Sequence, residues 1–487
     1  MSEYRLLAQR IGLIGLANVL VNLSGIFLLP ILTKSLPVED YGIWAQVNVT
    51  ISLASVVICL GLSASMVRFM AASSSREEIQ ECFYSILAVV MLTGISAMLL
   101  IFCLAEPIAG ALFNGNVAVT RALSVIVFVE AINGLLFSYY RATQRMKLYA
   151  IFSVAVVYIT IVLAYSFVKL GYGVYGAVLG LGVAKLIGFV FMLTVLLQHI
   201  GFRLPNFLHL REYVSFGIPL FSSYVFDWIV NSSDRYIIGM LLGTVWVGYY
   251  NPGYLLGSLI TVFINPIGTV LPMALYRYYD YGDIKSVEKL LSFTIKYFLA
   301  LAIPSVFGLT LLSKPMLFML STHDIAEHSY LITPFIALSM VLVGIATILS
   351  NAIYIAKKTA ISMKISLIAA VINLTLTFLL VRMGGVIGAA AATFLTFLFI
   401  FIVTNYFANR FIRIKFDYEF VLKSFVASFV MSIPLILWPP SGFIEILRVI
   451  AVSIVIYLQA MWLLRGINKE EIRFIKSLLN VSMEVTN

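Results

Sequence analysis

Charge is scarce in this chain. Lys, Arg, Asp and Glu together make up 11% of its residues, where soluble domains carry about 25%. With a mean hydropathy of +1.03, that excludes a soluble globular protein. Cysteine is nearly absent too. Cys59, Cys82 and Cys103 are the only three, and their spacing fits neither a disulfide framework nor a metal cluster. Histidine occurs four times, always between apolar runs. His323-Asp-Ile-Ala-Glu-His328 has donors for a metal but reads as a solvated loop. No GxxxxGK[ST] stretch occurs, which excludes that ATP-binding loop. No nucleophile–base arrangement is visible, so no enzymatic activity is expected. No polar stretch is long enough for a separate soluble domain.

What the chain has instead is long apolar runs. They cover 11–32, 41–66, 83–104, 119–140, 149–168 and 173–197. After a polar break come 214–241, 249–274, 288–312, 330–355, 361–381, 386–408, 420–438 and 443–464. Each can cross a hydrocarbon core of about 30 Å. The expected fold is therefore an all-α polytopic membrane protein with about fourteen transmembrane helices. The start, MSEYRLLAQR, precedes a run too long for a signal peptide, so it reads as the first span.

The net charge of +10 does not point to nucleic acid, because the basic residues alternate between loops. One side collects 23 Lys and Arg, the other Lys34, Arg121, Lys169, Lys314, Arg382 and Arg448, and three lie within spans. Positive loops face the cytoplasm. Both termini are therefore expected in the cytoplasm, and the chain in the cytoplasmic membrane.

The sequence also repeats itself. Leu36-Pro-Val-Glu-Asp-Tyr-Gly42-Ile-Trp44 is echoed by Leu242-Gly-Thr-Val-Trp-Val-Gly248-Tyr-Tyr250. Gly173-Val-Tyr-Gly176-Ala177 is echoed by Gly385-Val-Ile-Gly388-Ala389. Each half uses six spans, an even number, so the repeats are parallel. This divides the chain into an N-lobe (1–200), a C-lobe (201–410), and two extra spans with a cytoplasmic tail (411–487). Gly176, Gly180, Ala184 and Gly188 form one small-residue face suited to close helix packing.

Ionisable groups inside spans are costly and mark function or pairing. The seventh run holds Asp227, Asp234 and Arg235. Asp234 and Arg235 are neighbours, point about 100° apart and are not expected to pair. Asp227, Asn231 and Asp234 share a face. That stripe either holds a cation or proton, or satisfies Arg235 and Lys296; the spacing leaves both open. Glu130 and Lys185, near the middles of the fourth and sixth runs, are placed to neutralise each other. Lys296 is two turns into the ninth run, within reach of the cytoplasmic interface. Arg68 closes the second run as an interfacial anchor and possible headgroup contact, and Lys34 sits at the outer end of the first. Pro30 and Pro219 interrupt the first and seventh runs at comparable places, as kinks or as paired hinges.

Leu36-Pro-Val-Glu-Asp-Tyr-Gly42, Gly61-Leu-Ser-Ala-Ser-Met-Val-Arg68-Phe69, and Asp234-Arg235-Tyr-Ile-Ile-Gly239 with Val247-Gly248-Tyr249 carry a resemblance. Over nearly its whole length the chain resembles the polysaccharide transporter family. These are the O-antigen-flippase-like members of the multidrug/oligosaccharidyl-lipid/polysaccharide exporter superfamily. The resemblance implies two six-helix lobes around a central cavity, plus two extra helices. It also implies alternating-access transport of an oligosaccharide on an isoprenoid phosphate or pyrophosphate from inner to outer leaflet. Expected partners are that lipid-linked oligosaccharide, membrane lipids, and a glycan polymerase or glycosyltransferases. Only the Asp234–Arg235 motif is carried over from the family. By depth, the candidate headgroup contacts are Arg235, Lys185, Lys296, Arg68 and Lys34, since phosphates pair well with such cations. Asp227, Asp234 and Glu130 are the candidate groups for a coupling ion, Na⁺ or H⁺. An ion-coupled multidrug exporter and a peptidoglycan-precursor flippase of the same superfamily are the alternatives.

Overall fold

A computed structural model describes residues 3–72, 75–440 and 442–466. The predicted cytoplasmic tail lies almost wholly outside them. Every regular element among the described residues is helical. Among the described residues, eleven segments are long and apolar enough to cross a membrane. Two of them are double length: Met146–Ile200 has 55 residues and Thr359–Phe411 has 53. A straight helix of that size would measure about 80 Å, far beyond the bilayer core.

Glycines resolve the excess. Gly173 has φ 55° and ψ −143°, and Gly385 has φ 57° and ψ −139°. Positive φ is cheap only without a Cβ. These residues open the two copies of the Gly-Val-x-Gly-Ala repeat, so the repeat extends to backbone geometry. In the first copy the chain doubles back. A Cβ on Gly180 would lie 2.5 Å from the amide nitrogen of Ala164, and one on Gly188 would lie 2.4 Å from a Val156 methyl. The small-residue face therefore packs on the helix just before it. In the second copy a Cβ on Gly388 would lie 1.9 Å from the Leu380 carbonyl oxygen. Counting each long segment as two crossings and adding the rod over Thr244–Asp280 gives the fourteen spans expected.

Some boundaries differ from expectation. The second run is not one helix. It is Val38–Cys59, then a break, then Leu62–Ala72. The break holds Leu60 at φ 48° and Gly61 at φ 74°. The rod over Thr244–Asp280 is interrupted by a 3₁₀ turn at Ser258–Ile260. The His323–His328 stretch is a short helix, His323–Ser329, with Ile325 and Ala326 buried. The last two spans, Tyr418–Leu437 and Phe443–Leu463, fall where predicted, with Pro439 and Pro440 in the turn between them.

Two compact units account for the chain. One comprises residues 23–251 and 366–389. In it the first repeat makes a reciprocal contact. A Cβ on Gly42 would meet the Thr244 carbonyl oxygen at 1.9 Å, and a Cβ on Gly248 would meet that of Val38 at 2.3 Å. The repeat register equates Val38 with Thr244 and Gly42 with Gly248, so the two copies touch through the same positions, as across a two-fold axis. A second close approach sets Gly61 on Gly217, whose carbonyl oxygen lies 2.1 Å from a Cβ built on Gly61. The segment 200–213, which leads into the second half, is tied to helix Arg76–Cys103. Arg76 donates to the Ile200 carbonyl at 3.2 Å, as does Gln80, and Tyr84 donates to that of Gly201. Ser85 accepts from the Phe207 amide at 3.1 Å. The buried Glu81 accepts from the His209 amide at 3.3 Å and the Tyr213 hydroxyl at 2.6 Å.

The other unit comprises, among the described residues, 3–22, 252–365, 390–440 and 442–466. Its centre is helix Ile284–Leu320, against which the last two spans pack. Leu312, Leu435 and Val449 form one buried cluster. Ser424, Ser428 and Ser432, four apart and buried, give helix Tyr418–Leu437 a smooth face. The Tyr457 hydroxyl bridges Ser424 Oγ at 2.9 Å and the Ala300 carbonyl at 2.8 Å.

Candidate functional site: an acid–base cluster on helix Leu210–Leu242

Helix Leu210–Leu242 carries Asp227, Asn231, Asp234 and Arg235 within a span, all in the first unit. Asp234 and Arg235 are 2% and 5% exposed. Contrary to the angular argument from sequence, they pair: Arg235 Nη1 lies 2.7 Å from Asp234 Oδ1. Helical spacing sets the Cβ directions, but the Arg235 side chain is long enough to curl back along the helix. Its Nη1 also donates to the Asn231 carbonyl, one turn earlier, at 2.8 Å. Asp234 Oδ1 further accepts from the Arg235 amide at 2.9 Å, and Oδ2 accepts from the Tyr250 hydroxyl at 2.6 Å. The guanidinium lies 5.4 Å from the centre of the Tyr250 ring.

Tyr250 is fully buried. It reaches the carboxylate across the turn at Gly243. Only its place in the repeat marks it out. Beside the cluster, Ser233 donates to Asn373 Oδ1 at 3.2 Å, and Tyr41 accepts from Asn251 at 2.9 Å.

The same helix has an exposed edge at Tyr224, Asp227 and Asn231. Asp227 Oδ1 accepts from Ser366 at 3.0 Å, and the Asn231 amide donates to the Asp227 carbonyl at 2.7 Å. An exposed carboxylate and amide inside a span are expensive against lipid. Such an edge is expected to face away from lipid. Asn231 links it to the buried pair.

The remaining predicted residues are distributed as follows. Lys185 and Glu130 do neutralise each other, at 2.6 Å, and Asn133 donates to the Lys185 carbonyl at 3.0 Å. Arg68 is exposed, with its guanidinium 4.5 Å from the centre of the Phe216 ring. Lys34 is exposed just after helix Glu3–Thr33. Lys296 belongs to the other unit. It is 7% exposed and pairs with Asp417 at 2.8 Å, so it holds the start of helix Tyr418–Leu437. Pro30 and Pro219 lie inside helices; neither stops its helix.

The comparisons with known proteins follow. Residues 7–274 match the family described as polysaccharide biosynthesis protein. A protein of Haloferax volcanii, named as the probable low-salt glycan biosynthesis flippase Agl15, is 22% identical over 232 residues. That match covers 47% of this chain and 48% of that protein, so this chain spans about half the length of its curated relative. Among solved structures, the lipid II flippase MurJ in an inward closed conformation superposes with a TM-score of 0.72 at 16% identity. It covers 91% of this chain and 97% of MurJ. An inward-facing multidrug transporter of the MATE family gives 0.69 at 16% identity, covering 81% and 94%. The family match takes in more than half of the sequence, and both superpositions give the same polytopic fold: the chain belongs to the polysaccharide biosynthesis protein family.

Proposed function

We propose that this protein is a flippase. It moves an oligosaccharide linked to an isoprenoid phosphate or pyrophosphate from the inner to the outer leaflet by alternating access. The observation that carries this reading is the buried Asp234–Arg235 pair joined through Asn231 to an exposed polar edge. A carrier for an anionic, sugar-bearing lipid needs a cation that is sheltered from lipid and yet releasable. The family membership and the flippase name of the Haloferax volcanii relative support the same reading.

In this reading Asp234 and Arg235 exchange partners. When Asp234 takes a proton or Na⁺, its charge is cancelled and its hold on Arg235 weakens. The freed guanidinium then binds a phosphate oxygen, a strong charge-assisted contact. Asp227 on the exposed edge is the entry point for the ion. Glu130 and Lys185 form a second pair of the same kind. Arg68 and Lys34 receive the headgroup at the two mouths, and Lys296 is its contact in the C-lobe. Pro30 and Pro219 are the bends about which lobes 1–200 and 201–410 change state. A glycan polymerase or glycosyltransferases act next to the transported lipid.

The test is flipping of a labelled isoprenoid-pyrophosphate oligosaccharide in proteoliposomes, with an imposed Na⁺ or H⁺ gradient. Native protein is expected to flip it, and Asp227→Asn, which leaves the buried pair intact, to reduce the gradient dependence. Failure with every lipid-linked sugar would overturn the reading. Drug efflux instead would favour the exporter alternative, and flipping of a peptidoglycan precursor alone would favour the third.

A further inference from the structure

A second charged feature lies in the other unit, where helix Ile284–Leu320 begins. The segment just after Phe411 is extended: Ile412 has φ −139° and ψ 125°. Successive side chains of an extended chain alternate in direction. Ile412 and Ile414 accordingly point inward, 4% and 7% exposed, and Arg413 and Lys415 share the exposed side. The Lys415 amide donates to Ser292 Oγ at 3.2 Å, which fixes this segment to the helix. Lys285 and Lys289, one turn apart on that helix, face the same cleft of about 400 Å³.

Five cations line the cleft, against Glu288 and Asp417. Asp417 is taken by Lys296 at the floor. A solvated basic loop would spread its charges. Here buried isoleucines and a backbone hydrogen bond hold them around one space. Phe293 and Phe416 supply an apolar wall, as at a membrane–water interface. The first turn of helix Ile284–Leu320 is capped by Asp283, which accepts from the Ser286 amide at 3.1 Å. The anion-binding capacity thus resides in side chains and not in the helix end.

We propose that this cleft binds the phosphodiester headgroup of an anionic membrane phospholipid. Basic pockets of membrane helices on the cytoplasmic side are suited to such headgroups. The phenylalanine wall favours a lipid over a free phosphate, because the glycerol and upper acyl chain need apolar surface. Only Lys296 is shared with the proposed transport path; the other four cations are not, and the test reads lipid binding without transport.

The test is native mass spectrometry of the full chain in detergent, titrated separately with phosphatidylglycerol, phosphatidylcholine and inorganic pyrophosphate. Phosphatidylglycerol is expected to bind at least tenfold more tightly than phosphatidylcholine. Arg413→Ala with Lys415→Ala should weaken it by about fivefold per cation removed. Lys285→Ala with Lys289→Ala, on a separate element, should do the same and covers the case in which the first variant fails to fold. Equal binding of the two lipids, or phosphatidylglycerol binding unchanged in both double variants, would overturn the proposal. So would pyrophosphate displacing bound phosphatidylglycerol at equal concentration, which would make this a site for soluble phosphates.

Discussion

The carbonyl oxygen of Thr244 occupies the place a side chain on Gly42 would need, 1.9 Å from its Cβ position. The space at Gly239 is equally tight on paper: a Cβ there would lie 1.9 Å from Gln46 Nε2. The two differ in what must move. At Gly42 the obstacle is backbone, and at Gly239 it is the end of a flexible side chain. Gly42→Ala should therefore destabilise by about 2 kcal/mol or more, in the range of overpacked sites. Gly239→Ala should stay within about 1 kcal/mol. Thermal unfolding of the two purified variants checks the contrast; equal losses would refute it.

Arg235→Ala leaves the buried Asp234 carboxylate without its cation. Breaking a buried pair costs about 3–5 kcal/mol, so this variant should express poorly whatever its transport role. Asp234→Asn with Arg235→Gln removes both charges and should recover most of that stability. Measuring the single and double variants together separates folding from transport. A double variant as unstable as Arg235→Ala would contradict the pairing.

Gly173 and Gly385 share one backbone conformation that residues with a Cβ avoid. Gly173→Ala and Gly385→Ala should each cost about 1–3 kcal/mol, and the two costs should match. An asymmetric result would mean that the kink matters in only one half.

Asp417 lies just before its span. Burial pushes its pKa up, but the hydrogen bonds from Lys296 and the Phe420 amide outweigh that, and the carboxyl sits below its ordinary value. A depressed carboxylate stabilises the fold at pH above its unfolded value of about 4. That stabilisation is lost as pH falls through the lower folded value. Native protein should lose thermal stability on acidification below about pH 4, and Asp417→Asn should lose less over the same interval. Identical pH profiles would refute the contribution.

Much of the fold was legible because apolar runs and glycine motifs are local signals. The fourteen runs and both repeats could be read directly. The break at Leu60–Gly61 could not: it coincides with a close approach of the Gly217 backbone to Gly61, a contact far along the chain that no local signal marks. The site was partly legible. Cost alone marks Asp227, Asp234 and Arg235, and the Glu130–Lys185 pair follows from matching depth. The Asp234–Arg235 contact escaped because Cβ geometry ignores the reach of a guanidinium. The partner of Lys296, Asp417, escaped because nothing local ties residues 121 apart.

The ties between helix Arg76–Cys103 and segment 200–213 bear on how the protein is made. The carbonyls of Ile200 and Gly201 are satisfied by Arg76, Gln80 and Tyr84, all synthesised more than a hundred residues earlier. The segment that leaves the first half is thus fastened to a helix already synthesised, and these carbonyls need no partner from later in the chain.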